Sequence, residues 1–244
     1  MSRTLYDQIC HDFEAAAEFS EPVPETRYHK HREYLTYGMK TAEMWRIMKV
    51  YRSQIMALPL DERLDLAARL LRRQIGEYGH AGINIIAISR AELEPWHFPY
   101  LDQRIDDFRS WSHVDYFCVD VLQPLLRRFP AETLAQLDSW RQSANRFKRR
   151  CSVVTFTRKV GASGAYTSEC LAMCDHLIWD PEDIVQKGVG WALKDNLKGA
   201  PAAVIDYVKE LRWLGVPSTI TLYAIRDLKG EARQKVLAVK KQRP

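Results

Sequence analysis

Helix breakers divide this chain into segments of helix length, and that most constrains what it can become. Pro59, Pro95, Pro130, Gly161, Gly164, Pro181, Gly199, Pro201, Pro217 and Gly230 interrupt a sequence that otherwise repeats apolar residues at helical spacing. Met44, Ile47, Met48 and Tyr51 recur as one face, with Thr41 the expected N-cap; Leu64, Ala67, Ala68 and Leu71 form the next face, after an acidic start at Asp61 and Glu62. A first amphipathic helix is expected over 5–19, and later ones near 81–90, 98–109, 113–128, 131–141, 144–158, 165–177, 181–196, 200–213, 217–228 and 231–241. Two stretches have strand-like composition, 83–89 and 151–157, but each lies within a longer helical pattern and has no hairpin turn beside it. Both are read as buried helices. The expected class is therefore all-α.

Paired in order, these helices give roughly six units of about 40 residues, the length of a HEAT-like repeat. No strong internal sequence repeat accompanies that spacing, so a non-repetitive helical bundle gives the same pattern. In a solenoid the concave side is the natural binding surface.

Composition excludes several classes. With 46% hydrophobic residues in 244, a packed core can form. There is no apolar run of membrane-spanning length, and the N-terminus lacks a basic segment leading into an apolar one, so a cytoplasmic protein is expected. Five cysteines at irregular spacing do not make a disulfide framework. Cys170 and Cys174 lack the further ligands a zinc site needs, so all five are read as plain thiols and no metal or cofactor is expected.

The net charge of +5 is modest, but its distribution is uneven. Residues 140–160 carry Arg141, Arg146, Lys148, Arg149, Arg150, Arg158 and Lys159 and no acid. Like charges at helical spacing repel, and a polyanion would remove that cost by releasing its counterions. A solvated helix face is the plainer alternative. Arg233, Lys235, Lys240, Lys241 and Arg243 form a weaker cluster at the end of the chain.

Two segments carry candidate chemistry. In 110–122, Val114, Phe117, Cys118, Val121 and Leu122 have core spacing, while Trp111 and Asp115 stand four apart on another face. An indole beside a carboxylate suits a substrate that develops positive charge; a core tryptophan next to a surface aspartate gives the same letters. In 183–198, Ile184, Val189, Ala192 and Leu193 form an apolar face. Gly188 and Gly190 weaken the helix by up to about 1 kcal/mol each relative to alanine. Something must approach the backbone there, either a neighbouring helix or a ligand. Trp191 follows directly, flanked by Lys187, Lys194 and Lys198, as on a nucleic-acid surface.

Together these segments resemble the AlkD-type DNA alkylation repair glycosylases. The resemblance rests on YLTYGMKTAEMWRIMK (34–49), SWSHVD (110–115), NRFKRRCSVV (145–154) and, most specifically, VQKGVGWALKD (185–195). It spans residues 30 to 228. It implies a right-handed superhelical solenoid of about six HEAT-like antiparallel helix pairs with a concave basic face. The whole chain, 1–244, is then one domain: an N-terminal helix in 1–25, a repeat core over 26–228 and a basic C-terminal helix or tail in 229–244.

By resemblance, Asp115 is the catalytic carboxylate. Trp111 and Trp191 are the indoles flanking the lesion nucleotide. Arg150 holds the DNA backbone, with Arg149 the competing register, and Arg146, Lys148, Arg158, Lys159, Lys187 and Lys194 complete the DNA-binding set. The implied activity is monofunctional hydrolysis of the N-glycosidic bond of cationic N3- or N7-alkylpurines in duplex DNA, by a monomer without metal, cofactor or membrane. The alternatives are a non-catalytic DNA-structure-binding protein on the same scaffold, or a protein-binding helical repeat. The sequence departs from the family in having one tryptophan before Asp115 where many relatives have two, Phe147 where an indole is common, and Leu222 where arginine is frequent.

Overall fold

The computed structural model describes residues 4–29 and 33–241. Apart from one short β-pair and single helical turns, the regular structure of the described residues is α-helical. It falls into two compact units, Met1–Val121 and Leu122–Pro244.

The first unit holds α1 (Leu5–Ala15), β1 (Val23–Pro24), β2 (Leu35–Thr36), α2 (Thr41–Ala57), α3 (Leu60–Leu71), α4 (Gly76–Ile88), a 3₁₀ turn (Pro95–His97), α5 (Phe98–Ile105) and α6 (Trp111–Phe117). Thr4 and Asp7 cap α1 reciprocally: the Thr4 hydroxyl accepts from the Asp7 N–H, and the Asp7 carboxylate accepts from the Thr4 N–H. This helix stops at Ala15, short of the expected Phe19, because the N–H groups of Glu18 and Phe19 turn away to the Tyr37 carbonyl. β1 and β2, which hydrophobic patterning did not indicate, pair antiparallel with Val23 opposite Thr36.

The carboxylate of Glu77, buried on α4, accepts from the Thr36 hydroxyl and from the N–H groups of Tyr37 and Met39. That anchor sets how the chain enters α2. Lys40, in extended conformation, occupies the cap position without a side-chain bond. Thr41 is therefore the first helical residue and not the expected N-cap. The expected faces of α2 and α3 are buried, as are Phe13, Ile55, Leu70, Tyr78, Ile83, Ile85, Phe108 and Phe117 at the centre of the unit.

α6 meets α4 through a histidine pair, His113 buried and His80 half-buried. His113 Nε2 and His80 Nδ1 lie 3.1 and 2.9 Å from the Gly76 carbonyl, so both nitrogens donate to it. His113 Nδ1 faces the Arg109 N–H at 3.4 Å and must be an unprotonated acceptor. The ring packs on bare backbone at Gly79, where a Cβ would stand 2.3 Å from His113 Cε1. Burial holds both imidazoles below their ordinary value, assisted at His113 by the neighbouring His80.

The unfolded chain therefore binds protons first as pH falls below 6.5, and the native state loses stability through the window below that value. Melting temperature should drop between pH 7 and 5, and His113→Gln should flatten the dependence. Equal slopes for the two proteins would show that other groups control this window.

The second unit begins inside a π-helical turn, Cys118–Leu122, which continues α6 into α7 (Gln123–Arg128). Pro124 accounts for the widening, since a proline ring in an α-turn collides with the carbonyl four residues earlier. The expected helix over 113–128 is thus continuous but contains one change of pitch.

There follow α8 (Pro130–Trp140), α9 (Arg146–Val154), α10 (Arg158–Ser163), α11 (Thr167–Asp175), α12 (Asp183–Gly199), α13 (Pro201–Leu214), α14 (Ser218–Ala224) and α15 (Gly230–Ala238). α12 is the hub and packs against α9, α10, α11, α13 and α14. The expected helix over 144–158 ends at Val154. The freed carbonyls of Thr155 and Thr157 accept from the buried Gln123 side chain, and that of Phe156 from Asn196. Neither strand-like segment forms a strand: 83–88 lies within α4, and 151–154 lies within α9 while 155–157 leave the helix. All five cysteines are reduced and buried. Among the described residues no helix is long and apolar enough to cross a membrane. Arg243 of the terminal basic cluster lies outside the described residues.

Candidate nucleic-acid interface

In the first unit the site is carried by α6. Ser110 caps the helix by accepting from the Ser112 N–H at 3.0 Å. His113, Val114 and Phe117 face the core, and Cys118, Val121 and Leu122 beyond the helix are likewise buried. Trp111, Ser112, Asp115 and Tyr116 form the half-buried stripe, at the offsets that keep one helical face. The indole and carboxylate singled out from the sequence therefore share an accessible face, and neither is core. Trp111 Nε1 donates to the Tyr28 carbonyl at 3.4 Å, and its ring stacks on His29 with centroids 5.9 Å apart.

Sequence reasoning missed the aromatic company of this stripe. Tyr116 accepts from the Asn84 amide at 2.8 Å, with Trp45 edge-on at 5.5 Å. Desolvation pushes the Tyr116 hydroxyl pKa up, against the hydrogen bond from Asn84, so it stays neutral. A signal for Trp45 did exist: it falls outside the face formed by Met44, Ile47, Met48 and Tyr51. His29 and Tyr34 come from a segment with no periodicity and gave none.

In the second unit the two mid-helix glycines of α12 are explained by neighbouring side chains. A Cβ at Gly190 would stand 2.8 Å from Tyr223 Cβ on α14, and one at Gly188 would stand 3.3 Å from both the Arg150 guanidinium and Val154 on α9. The close approach is thus helix packing. Val189, Ala192 and Leu193 are buried, whereas Ile184 is only half-buried. Trp191 is half-buried too, and the Arg158 guanidinium lies 5.5 Å over its ring. Arg158 has φ +54, and its N–H donates to the Asp195 carboxylate at 2.6 Å.

The basic run is less one-sided in space than in sequence. Arg149 makes a two-pronged bond to Asp180, at 2.6 and 3.2 Å, and its remaining nitrogen donates to the Ser143 and Ala144 carbonyls. Arg146 pairs with Glu182 at 3.4 Å. Lys194 pairs with Asp195 at 3.0 Å, and Lys187 with Asp183. Arg150 is buried and donates to the Ile184 carbonyl, while Lys148 is buried beside it on α9. Arg158, Lys159 and Lys187 are the exposed members of the set. Local repulsion at Arg146 and Arg149 therefore does not by itself call for a polyanion. Acids some thirty residues away, ahead of α12, relieve it.

The sequence model for DNA alkylation repair enzymes matches residues 9–228. No curated protein matches in sequence. A predicted DNA alkylation repair enzyme from Enterococcus faecalis shares the fold, with a TM-score of 0.66 and 15% identity, over 81% of this chain and 90% of that one. So does the Pseudomonas fluorescens alkylpurine DNA glycosylase AlkC, solved bound to DNA containing an abasic-site analogue. Its TM-score is 0.54 and its identity 17%, and the match covers 96% of this chain and 65% of AlkC. With nearly its whole length matched by the family model and its helical architecture repeated in these structures, the chain belongs to the DNA alkylation repair enzyme family.

Proposed function

We propose that the chain is a monofunctional DNA glycosylase of the AlkD type, hydrolysing the N-glycosidic bond of cationic N3- or N7-alkylpurines in duplex DNA. The observation that carries the reading is the pairing of Trp111 with Asp115 on the half-buried stripe of α6, in a family of alkylation repair enzymes.

An alkylated purine of this kind already bears positive charge. When its bond to C1′ breaks, the electron pair goes to the base and neutralises it, so no general acid is needed. The deoxyribose becomes the cation. Asp115 is assigned its electrostatic stabilisation and the orientation of a water for attack at C1′. The attacking water's proton passes to Asp115 or to solvent, leaving an abasic site. Trp111 is assigned to the sugar face. From the second unit, Trp191 is the proposed second indole, and Arg150, with Arg149 as the alternative, the proposed backbone contact. Arg158, Lys159 and Lys187 are the more exposed phosphate contacts of the proposed set.

The test is release of 7-methylguanine from methylated duplex DNA, with duplex binding measured in parallel. The expected outcome is free base plus an alkali-labile abasic site, and binding that weakens steeply as salt rises from 50 to about 200 mM. Salt-sensitive binding without base release would instead assign the chain to DNA-structure binding.

A further inference from the structure

His29 is held at both ring nitrogens. Its Nδ1 lies 2.6 Å from the Glu25 carboxylate, and its Nε2 lies 2.7 Å from the Ser110 hydroxyl. Glu25 also accepts from the N–H groups of Arg27 and Tyr28. Burial pushes the Glu25 carboxyl up, but the bonds from His29, Tyr28 and Arg27 outweigh it and hold the group below its ordinary value, as an anion. The ring thus bridges the Glu25 carboxylate at Nδ1 and the Ser110 hydroxyl at Nε2. This is the bond pattern of a carboxylate–histidine–serine triad. Ser110 is only 1% exposed, however, and already caps α6, so it cannot reach a substrate as a nucleophile.

What the arrangement reaches instead is Trp111, the residue after Ser110. The fixed imidazole stacks on the indole at an interplanar angle of 15° and on Tyr34 at 10°, with centroids 4.2 Å apart in the second pair. The Tyr28 carbonyl, one residue from His29, receives the indole N–H. The strap 25–29 thus touches the first turn of α6 at its cap, at the ring face of Trp111 and at its nitrogen. A half-buried indole without these contacts is free to change rotamer.

We propose that His29, oriented by Glu25 and Ser110, is a positioning residue that fixes the Trp111 indole for the lesion sugar; this rests on the glycosylase reading above. A side chain meant to face a developing cation must be held close to its productive geometry by neighbours of its own.

The 244-residue chain tests this with His29→Ala and with Glu25→Gln, which leaves the rings intact and loosens only the clamp. Two quantities are measured. One is the single-turnover rate of 7-methylguanine release. The other is the heteronuclear NOE of the Trp111 indole N–H, assigned by its loss in Trp111→Phe. The expected rate losses are about a hundredfold for His29→Ala and about tenfold for Glu25→Gln, the scale of a small misplacement at a reacting centre. Affinity for an abasic-analogue duplex should stay within about twofold, since backbone contacts carry it. The Trp111 NOE should fall in both variants while the other indoles keep theirs. An unchanged Trp111 NOE overturns the proposal, even if excision falls. If the wild type releases no base, the glycosylase reading fails by itself, and the NOE alone still decides whether the clamp holds the indole.

Discussion

Asp115→Asn is expected to lower the rate of 7-methylguanine release by about a hundredfold or more, the usual loss when one electrostatic contact to a transition state is removed. The substitution keeps the size and planarity of the side chain on the accessible stripe of α6. What disappears is a negative charge matched to the transition state, when positive charge has left the purine and sits on the sugar. Ground-state binding should change little, because most affinity for duplex DNA comes from phosphate contacts. The measurement is a single-turnover time course together with the dissociation constant for the same duplex. A variant that excises at the wild-type rate would remove Asp115 from the chemistry, and one that loses binding and rate in parallel would make it a DNA contact.

The second large effect concerns stability. Asp180 is 7% exposed and accepts from Arg149 Nε, Arg149 Nη2 and the Glu182 N–H. Because Arg149 also donates to the carbonyls of Ser143 and Ala144, the pair ties the start of α9 to the turn before α12. Removing one partner of a buried ion pair leaves the other desolvated and unpaired, a loss of about 3–5 kcal/mol. Asp180→Ala should therefore destabilise the chain by about 3 kcal/mol in urea unfolding, taking the lower end because Arg149 keeps some solvent contact. The double variant Arg149→Met with Asp180→Ala should recover part of the loss, since no orphaned charge remains. A single-variant loss under about 1 kcal/mol would place the pair among ordinary surface contacts.

Much of the helical architecture was legible because helix periodicity reports directly which residues are buried. α2, α3 and α6 present the expected faces, and strand-like residues in α4 and α9 stay helical because their neighbours keep the longer period. Periodicity cannot report contacts made by side chains that interrupt it. Thr41 has the chemistry of a cap, but Glu77, some forty residues later, fixes the preceding loop and moves the boundary to Lys40. The same blindness affected charge. Arg146 and Arg149 stand in an acid-free run, and their counterions lie two helices further along the chain, just before α12. At the candidate site, spacing alone separated Trp111 and Asp115 from the buried face of α6. His29, from a stretch without regular structure, became visible only through what it touches.

The seat of His113 against Gly79 also restricts how descendants of this sequence can drift. A single methyl at position 79 has no room while an imidazole lies on the backbone there, and a shorter side chain at 113 leaves the Gly76 carbonyl one donor poorer. Neither change is neutral by itself, yet an alanine at 79 together with a compact residue at 113 fills the same volume. Divergent copies should therefore exchange these two letters as a pair, a correlated substitution linking α4 to the first turn of α6.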